Sequence, residues 1–200
     1  KYSVTIVQTA SGYGSTGTQQ TYSYDPPSWH YGDDPVLPDN NACTCRTRTW
    51  DDYRGHAKVG ASDGSNNPSD NRFYRGMNGD RANSAGTVTK SVTVAATDNS
   101  QLVDSNFLAG QQFDEVDRDV FSNVLRRDFR DLSGRLNSAP GNPASGVPEA
   151  RMLLLDEKQE QVGGPTAPVL RTVYAYDQYG NVTRWTTWAT RPRPLTTAPS

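Results

Sequence analysis

The chain has 200 residues, 34% of them apolar, and sets twenty Lys and Arg against twenty-two Asp and Glu for a formal net charge of -2. Charge this evenly balanced provides no long-range field to steer the protein toward nucleic acid or an anionic membrane, and no run approaches the roughly 18 apolar residues of a membrane span. A thick oil-filled core is excluded as well, so ten Tyr, four Trp and five Phe must take over part of the burial, as amphipathic aromatics do along thin strands, with seventeen Gly and thirteen Pro as punctuation.

Taken in chain order, Lys1 to Val7 alternates Tyr2, Val4 and Ile6 with Ser3 and Thr5, which predicts a strand with one buried face. The absence of a signal-peptide core and a start at Lys1 read as a processed product or a piece of a larger protein. Ser11 to Gly17 is a turn or loop, and Thr18 to Tyr24 resumes as a strand that pairs with the first. Pro26, Pro27, Pro35 and Pro38 make residues 25–42 an irregular surface loop, and Cys43 to Val59 reads as strand, turn and strand around Trp50.

Ala61 to Asn71, rich in Ser, Asn, Asp and Gly, is expected to be a mobile loop, and Gly76-Met77-Asn78-Gly79-Asp80 a compact turn. Thr87 to Ala95 alternates again, with Val88, Val92 and Val94 on one face and Lys90 among them, as on an edge strand. In Phe107 to Leu136 the residues Phe113, Val116, Val120 and Val124 also fall at helical spacing, so a short helix competes there with strand pairing, which is preferred. Residues 138–149 form a Pro/Gly linker or loop, Arg151 to Gln161 a strand or short helix, Val169 to Trp188 a hairpin, and residues 191–200 a flexible tail. The fold class expected is all-β, an array of antiparallel hairpins.

The hairpin Tyr174-Ala175-Tyr176-Asp177-Gln178-Tyr179-Gly180-Asn181-Val182-Thr183-Arg184 carries the clearest pattern. Tyr174 and Tyr176 share a strand face, Gly180-Asn181 supplies residues tolerant of positive φ, and Asp177 can bond back to backbone N–H groups. Arg118 to Leu125 repeats it at Asp119, Phe121, Asn123 and Val124. A degenerate copy runs through Trp50, Asp51 and Tyr53 with its glycine, Gly55, one position late, and Tyr22-Ser23-Tyr24-Asp25 is a half-copy. Such repetition marks supersecondary units too small to bury a core alone. The repeat aspartates Asp51, Asp119 and Asp177 are expected to tie each turn to its neighbour, and Tyr174, Tyr176 and Tyr179 to stack on adjacent units.

This aromatic-aspartate, glycine-asparagine pattern resembles the YD repeat of the RHS family, which includes polymorphic-toxin shells, components of insecticidal toxin complexes and teneurins. Thr49 to Val59 and Phe73 to Arg81 are similar to the non-toxin portion of large RHS-repeat proteins. The resemblance touches most of residues 1–190, with about a quarter of those positions carrying it. It implies a degenerate repeat region over 1–137 and a repeat hairpin unit over 150–190, in a section of shell wall cut from a longer chain. It further implies a secreted or cell-surface location and, as partners, neighbouring repeats and an enclosed toxin domain. The self-cleavage segment and toxin domain found at the ends of such shells are not recognisable, so no catalytic residue is carried over.

Candidate chemistry is sparse. Cys43 and Cys45 with His30 and His56 make a conceivable zinc set, but Cys-x-Cys is tighter than the usual spacer, and a pair of half-buried thiols or a strained disulfide is the preferred reading. Neither histidine has a nucleophile elbow or oxyanion loop around it. The pairs Asp33-Asp34, Asp51-Asp52 and Asp114-Glu115 point to opposite faces if on strands, which does not suit a glycosidase. Asn78 and Asp80 offer two of the six to eight oxygens calcium needs. Gly12-x-Gly14-x-x-Gly17 precedes a strand, where a dinucleotide site requires a helix. We expect no enzyme activity, cofactor or metal. The alternative to the shell is a secreted β-rich module whose aromatic row binds glycan rings.

Overall fold

The structure, a computed structural model, describes residues 3–10, 17–31, 49–83, 85–136, 151–164 and 166–191, except for the side chains of Asp51 and Leu136. The strands run β1 (Ile6–Thr9), β2 (Thr18–Tyr24), β3 (Pro27–Tyr31), β4 (Trp50–His56), β5 (Lys58–Ser62), β6 (Pro68–Phe73), β7 (Thr93–Ala95) and β8 (Gln101–Val103). They continue as β9 (Gln112–Arg118), β10 (Val124–Leu136), β11 (Arg151–Val162), β12 (Val169–Tyr176) and β13 (Val182–Thr190). The protein is all-β, and the helix weighed against strands in 107–136 is reduced to one 3-10 turn at Asn106–Leu108.

Nine strands pair in the order β1-β2-β5-β6-β9-β10-β11-β12-β13, every pairing antiparallel. This is a meander interrupted twice. The chain leaves it after β2 to form the β3–β4 ribbon and after β6 to form the segment containing β7 and β8, and each time it returns to the next position in the sheet. The sheet is continuous across residues 137–150, since β10 pairs with β11 from Arg126–Val162 to Leu136–Arg151.

The apolar core is small and lies where the second excursion folds over the middle of the sheet. Tyr74, Val94, Ala96 and Leu108 pack there with Phe113 of β9 and Phe129 of β10, and Leu102 and Leu132 close the margin. Tyr74 and Phe113 meet with ring centroids 4.7 Å apart. Burial, then the charges of Asp131 and Asp104, push the Tyr74 phenol far up.

A charged fastener joins the excursion to the sheet. Asp114, fully buried, receives a two-pronged hydrogen bond from Arg127 (Nε 2.9 Å, Nη2 3.3 Å) and the backbone N–H of Thr97 at 2.6 Å. Arg127 also pairs with Asp98, within the β7–β8 turn, at 3.3 Å, so it ties that turn to Asp114 on β9. The carboxylates of Asp80 and Asp104 tie down the same excursion. Asp104 accepts the N–H groups of Arg75 and Gly76, both at 2.7 Å, with Arg75 Nε 3.5 Å from its other oxygen.

Away from this core, ion pairs line a sheet surface. Asp128 stands opposite Glu115 on one side and Glu160 on the other, and a row of like charges disfavours pairing unless cations are interleaved. Arg130 (2.9 Å), Lys158 (3.5 Å) and Arg126 (4.0 Å) surround Asp128, while Arg126 reaches Glu115 at 3.3 Å and Lys158 reaches Glu160 at 2.8 Å.

Several expectations are corrected. Ala61 to Asn71 is no loose loop but the β5–β6 hairpin, because Asp63 closes a tight turn within it. Residues 27–31 form a strand despite Pro27, which occupies the first strand position where its missing N–H is tolerated. Cys43 to Val59 does not hold a turn around Trp50: β4 runs unbroken to His56, and the chain bends at Ala57. The strand over Thr87 to Ala95 shortens to Thr93–Ala95 plus an Arg81–Thr89 bridge, since Lys90 and the backbone beside it are drawn to Asp80. Val4 and Ile6 are exposed rather than buried, for β1 ends the sheet beyond the reach of the core. Cys43, Cys45, Asp33, Asp34, the 138–149 linker and the tail beyond Arg191 lie outside the described residues.

Removing one partner of a buried ion pair strands the other, so Asp114→Ala is expected to lower unfolding free energy by about 3–5 kcal/mol in urea titrations. Arg126→Ala, on the wet surface, should change it by at most about 1 kcal/mol.

Candidate functional site

Two arrangements stand out: a repeated turn, and an aromatic cleft held by a buried aspartate. In the turn, Asp177 Oδ1 accepts the N–H groups of Tyr179 (2.8 Å) and Asn181 (2.9 Å), and Oδ2 accepts Asn181 Nδ2 at 2.9 Å. Asp119 does the same with Phe121, Asn123 and Asn123 Nδ2 at 2.9, 2.8 and 2.9 Å. Asp63 repeats it with Ser65, Asn67 and Asn67 Nδ2 at 2.9, 3.0 and 3.2 Å.

The backbone repeats too. In each turn the fourth residue donates to the carbonyl of the first, and the first donates to the carbonyl of the fifth. The fourth residue has positive φ: Gly180 at 85°, Ser122 at 66° and Asn66 at 60°. This is the three-residue hairpin loop, a type I turn followed by a left-handed bulge residue. Residues 96–100 have the same backbone bonds, with Asn99 at φ 65°, but start at an alanine.

The repeat is therefore an aspartate and an asparagine four apart, around a residue able to turn left-handed. Its third copy is Asp63–Asn67 and not Trp50-Asp51-Asp52-Tyr53, which lies within β4. Two roles change with it. Asn181 has no positive φ; it is the carboxylate's partner. Asp119 and Asp177 lock their own turns; it is Arg135, on β10, that reaches across to donate to the Asp177 carbonyl. Of the tyrosines, Tyr176 donates its hydroxyl to the Leu155 carbonyl of β11 at 2.6 Å, Tyr174 stands opposite Trp185, and Tyr179 is exposed at the turn.

The three carboxyls are held below the usual carboxylate range. The Asn123 and Asn181 amides are the main cause for Asp119 and Asp177, and the Asn67 backbone N–H for Asp63.

The second arrangement centres on Asp80, whose side chain is wholly buried. Its Oδ1 accepts His30 Nδ1 (2.9 Å) and the N–H groups of Tyr31 (3.2 Å) and Arg81 (2.8 Å), and its Oδ2 accepts Lys90 Nζ (2.9 Å). Burial would raise its pKa, but the Lys90 bond, then the Tyr31 N–H and the charges of His30 and Lys90, hold it below the usual value. These bonds pin the β3–β4 ribbon to the excursion, helped by Arg54, which bridges Asp52 and Asn106 at 2.7 and 2.8 Å. On the ribbon, Trp29 meets Tyr53 and Trp50 meets Tyr31 edge to face, with centroids 5.2 and 5.0 Å apart.

The remaining candidates resolve locally. His30 donates from Nδ1 to a carboxylate, and among the described residues no hydroxyl or thiol bonds its other nitrogen. His56 donates Nδ1–H to the Asp25 carbonyl and accepts the Tyr53 hydroxyl on Nε2, both ring atoms serving the ribbon. Asn78 Oδ1 accepts the Val92 N–H, so the oxygens considered for calcium are occupied by protein donors. Among the described residues no three His, Cys, Asp or Glu gather as metal ligands, and no helix is long and apolar enough to cross a membrane.

Sequence reasoning missed Asp63, Asn67 and Trp29, and gave Asp80 and Lys90 other roles, a candidate calcium oxygen and an edge-strand cation. The first two were legible as an aspartate and asparagine four apart, as at Asp119 and Asp177. Compared with known proteins, the chain matches no family model, no curated protein and no solved structure.

Ser122→Gly removes a side chain from a left-handed position and is expected to stabilise the protein by about 1 kcal/mol. Gly180→Ala should cost about 1–2 kcal/mol, since it adds strain at φ 85° and drives a methyl against Met152; thermal unfolding measures both. Because the folded-state pKa values of the three turn aspartates lie below their unfolded values, the turns are fully stabilised above about pH 4 and loosen as pH falls through the folded values. NMR titration of the Asn67, Asn123 and Asn181 side-chain amides should show coincident shifts only at that acid end.

Proposed function

We propose that the chain is a non-catalytic section of an RHS-type shell wall that encloses or presents a toxin or effector cargo, secreted or displayed at the cell surface. The observation that carries this reading is the repeated Asp/Asn-locked turn between adjacent strands of a nine-stranded meander, at β5–β6, β9–β10 and β12–β13. A wall must enclose volume without filling it. A one-layer sheet with ion-paired ladders on its surface and a small local core suits that task, because it needs no second sheet to cover it.

Its partners in this reading are neighbouring repeats and the cargo. The end strands β1 and β13 each pair on one side only among the described residues, and a neighbouring repeat would add its strand to the open backbone groups. No residue is assigned a catalytic role.

The test is a cryo-EM structure of the protein at its full natural length. The Tyr174–Arg184 hairpin is expected in a curved strip around an enclosed space, with a cargo segment that resists protease until the wall is denatured. A closed sandwich at this hairpin, or cargo digested as fast in the native protein as in the denatured one, would sink the proposal.

A further inference from the structure

We propose that the cleft between the β3–β4 ribbon and the Met77–Lys90 segment binds a neutral hexopyranose, its C–H face laid on the indoles of Trp29 and Trp50. The cleft has a volume of about 540 Å³ and is lined by Pro27, Ser28, Trp29, Trp50, Met77 and Lys90. That volume lies within the range of small-molecule sites, and the cleft is open to solvent with polar and apolar surface in about equal measure. This inference is independent of the shell reading, since it concerns the ribbon and not the sheet.

The two tryptophans are 37% and 38% exposed although each is held in place. In an edge-to-face pair the tyrosine can cover at most one face of its indole, and the part of each indole left exposed borders the cleft. The tyrosines are themselves fixed: Tyr31 is 5% exposed under the Arg81 guanidinium, 4.9 Å from its ring centre, and Tyr53 bonds His56. An aromatic platform held this way loses little freedom when a ring stacks on it.

The polar groups are equally pre-set. Lys90 gives one N–H to the buried Asp80 and carries two more donors, and Ser28 Oγ accepts Arg75 Nη1 at 2.9 Å, which directs its own hydrogen elsewhere. The charge of Lys90 is offset by a carboxylate 2.9 Å away, so the cleft offers hydroxyl-binding donors without a net attraction for anions. Two indoles and two donors lining one open cleft fit a hydroxylated ring better than an extended proline-rich peptide, whose contacts spread along a groove.

The experiment titrates the full chain with cellobiose, maltose, lactose, glucuronate and decaproline, read by saturation-transfer NMR and indole fluorescence. At least one neutral disaccharide is expected to bind with a dissociation constant of about 1 mM. Trp29→Ala and Trp50→Ala should each weaken it about tenfold, and Trp188→Ala, on β13, should leave it unchanged. Circular dichroism checks the fold. Should an alanine variant unfold, Trp29→Phe and Trp50→Phe keep a ring against the tyrosine and are expected to bind a few-fold more weakly than the parent. The proposal is overturned if no neutral sugar binds, if binding ignores both cleft tryptophans, if glucuronate is preferred, or if decaproline alone occupies the cleft.

Discussion

The structure depends on a carboxylate that gathers N–H groups from its own turn. At Asp63, Asp119 and Asp177 one oxygen takes two backbone donors and the other takes the asparagine amide, and the strand pair beyond inherits its register from that closure. Register matters more than usual here. A slip of one residue sends every side chain to the opposite face. It would carry Asp114 and Arg127 away from the excursion that buries them and turn the acids of the ion-paired ladder toward the core face. A chain with only 34% apolar residues has no large core to penalise such a slip, so the turns must specify it locally.

The second constraint is how so thin a sheet obtains any core. It does so by folding a loop-rich excursion, residues 74–111, over its central strands, and that excursion is short of regular hydrogen bonding. Several of its backbone donors go to buried carboxylates: Arg81 to Asp80, Arg75 and Gly76 to Asp104, and Thr97 to Asp114, while Asp80 also takes the Tyr31 N–H of the ribbon. Burying a charge is costly unless it is paired and hydrogen-bonded: Asp80 and Asp114 are bonded at both oxygens, while Asp104 Oδ2 has, among the described residues, the Arg75 ion pair alone. They also reach between elements distant in sequence, which aligns the ribbon, the excursion and the sheet.

Functionally the two devices divide the molecule. The meander with its locked turns is a repeating, extensible surface, while the ribbon and excursion form a rigid, aromatic-rich platform beside it. In the reading proposed above, a wall section would carry its sugar cleft on elements that leave the sheet and return to it.

What the sequence alone determined is local. Alternation, turn residues and the Asp177 and Asp119 repeats are enough for an all-β hairpin array, and strands in the ambiguous stretch from 107 to 136, because period-two patterning and turn chemistry act within a few residues. Tertiary structure decided the rest. Trp50-Asp51-Asp52-Tyr53 looks like a repeat on paper, yet its continuation has no aspartate-asparagine closure, so it extends as β4 and its aromatics face Trp29 and Tyr31. Asp63 and Asn67 were visible but hidden in a polar stretch that reads as loop until the chain on both sides pairs. Asp80, Asp104 and Asp114 resemble surface acids in the sequence; burial changes their meaning, and burial depends on side-chain donors 10 to 50 residues away, a distance at which no local pattern carries information.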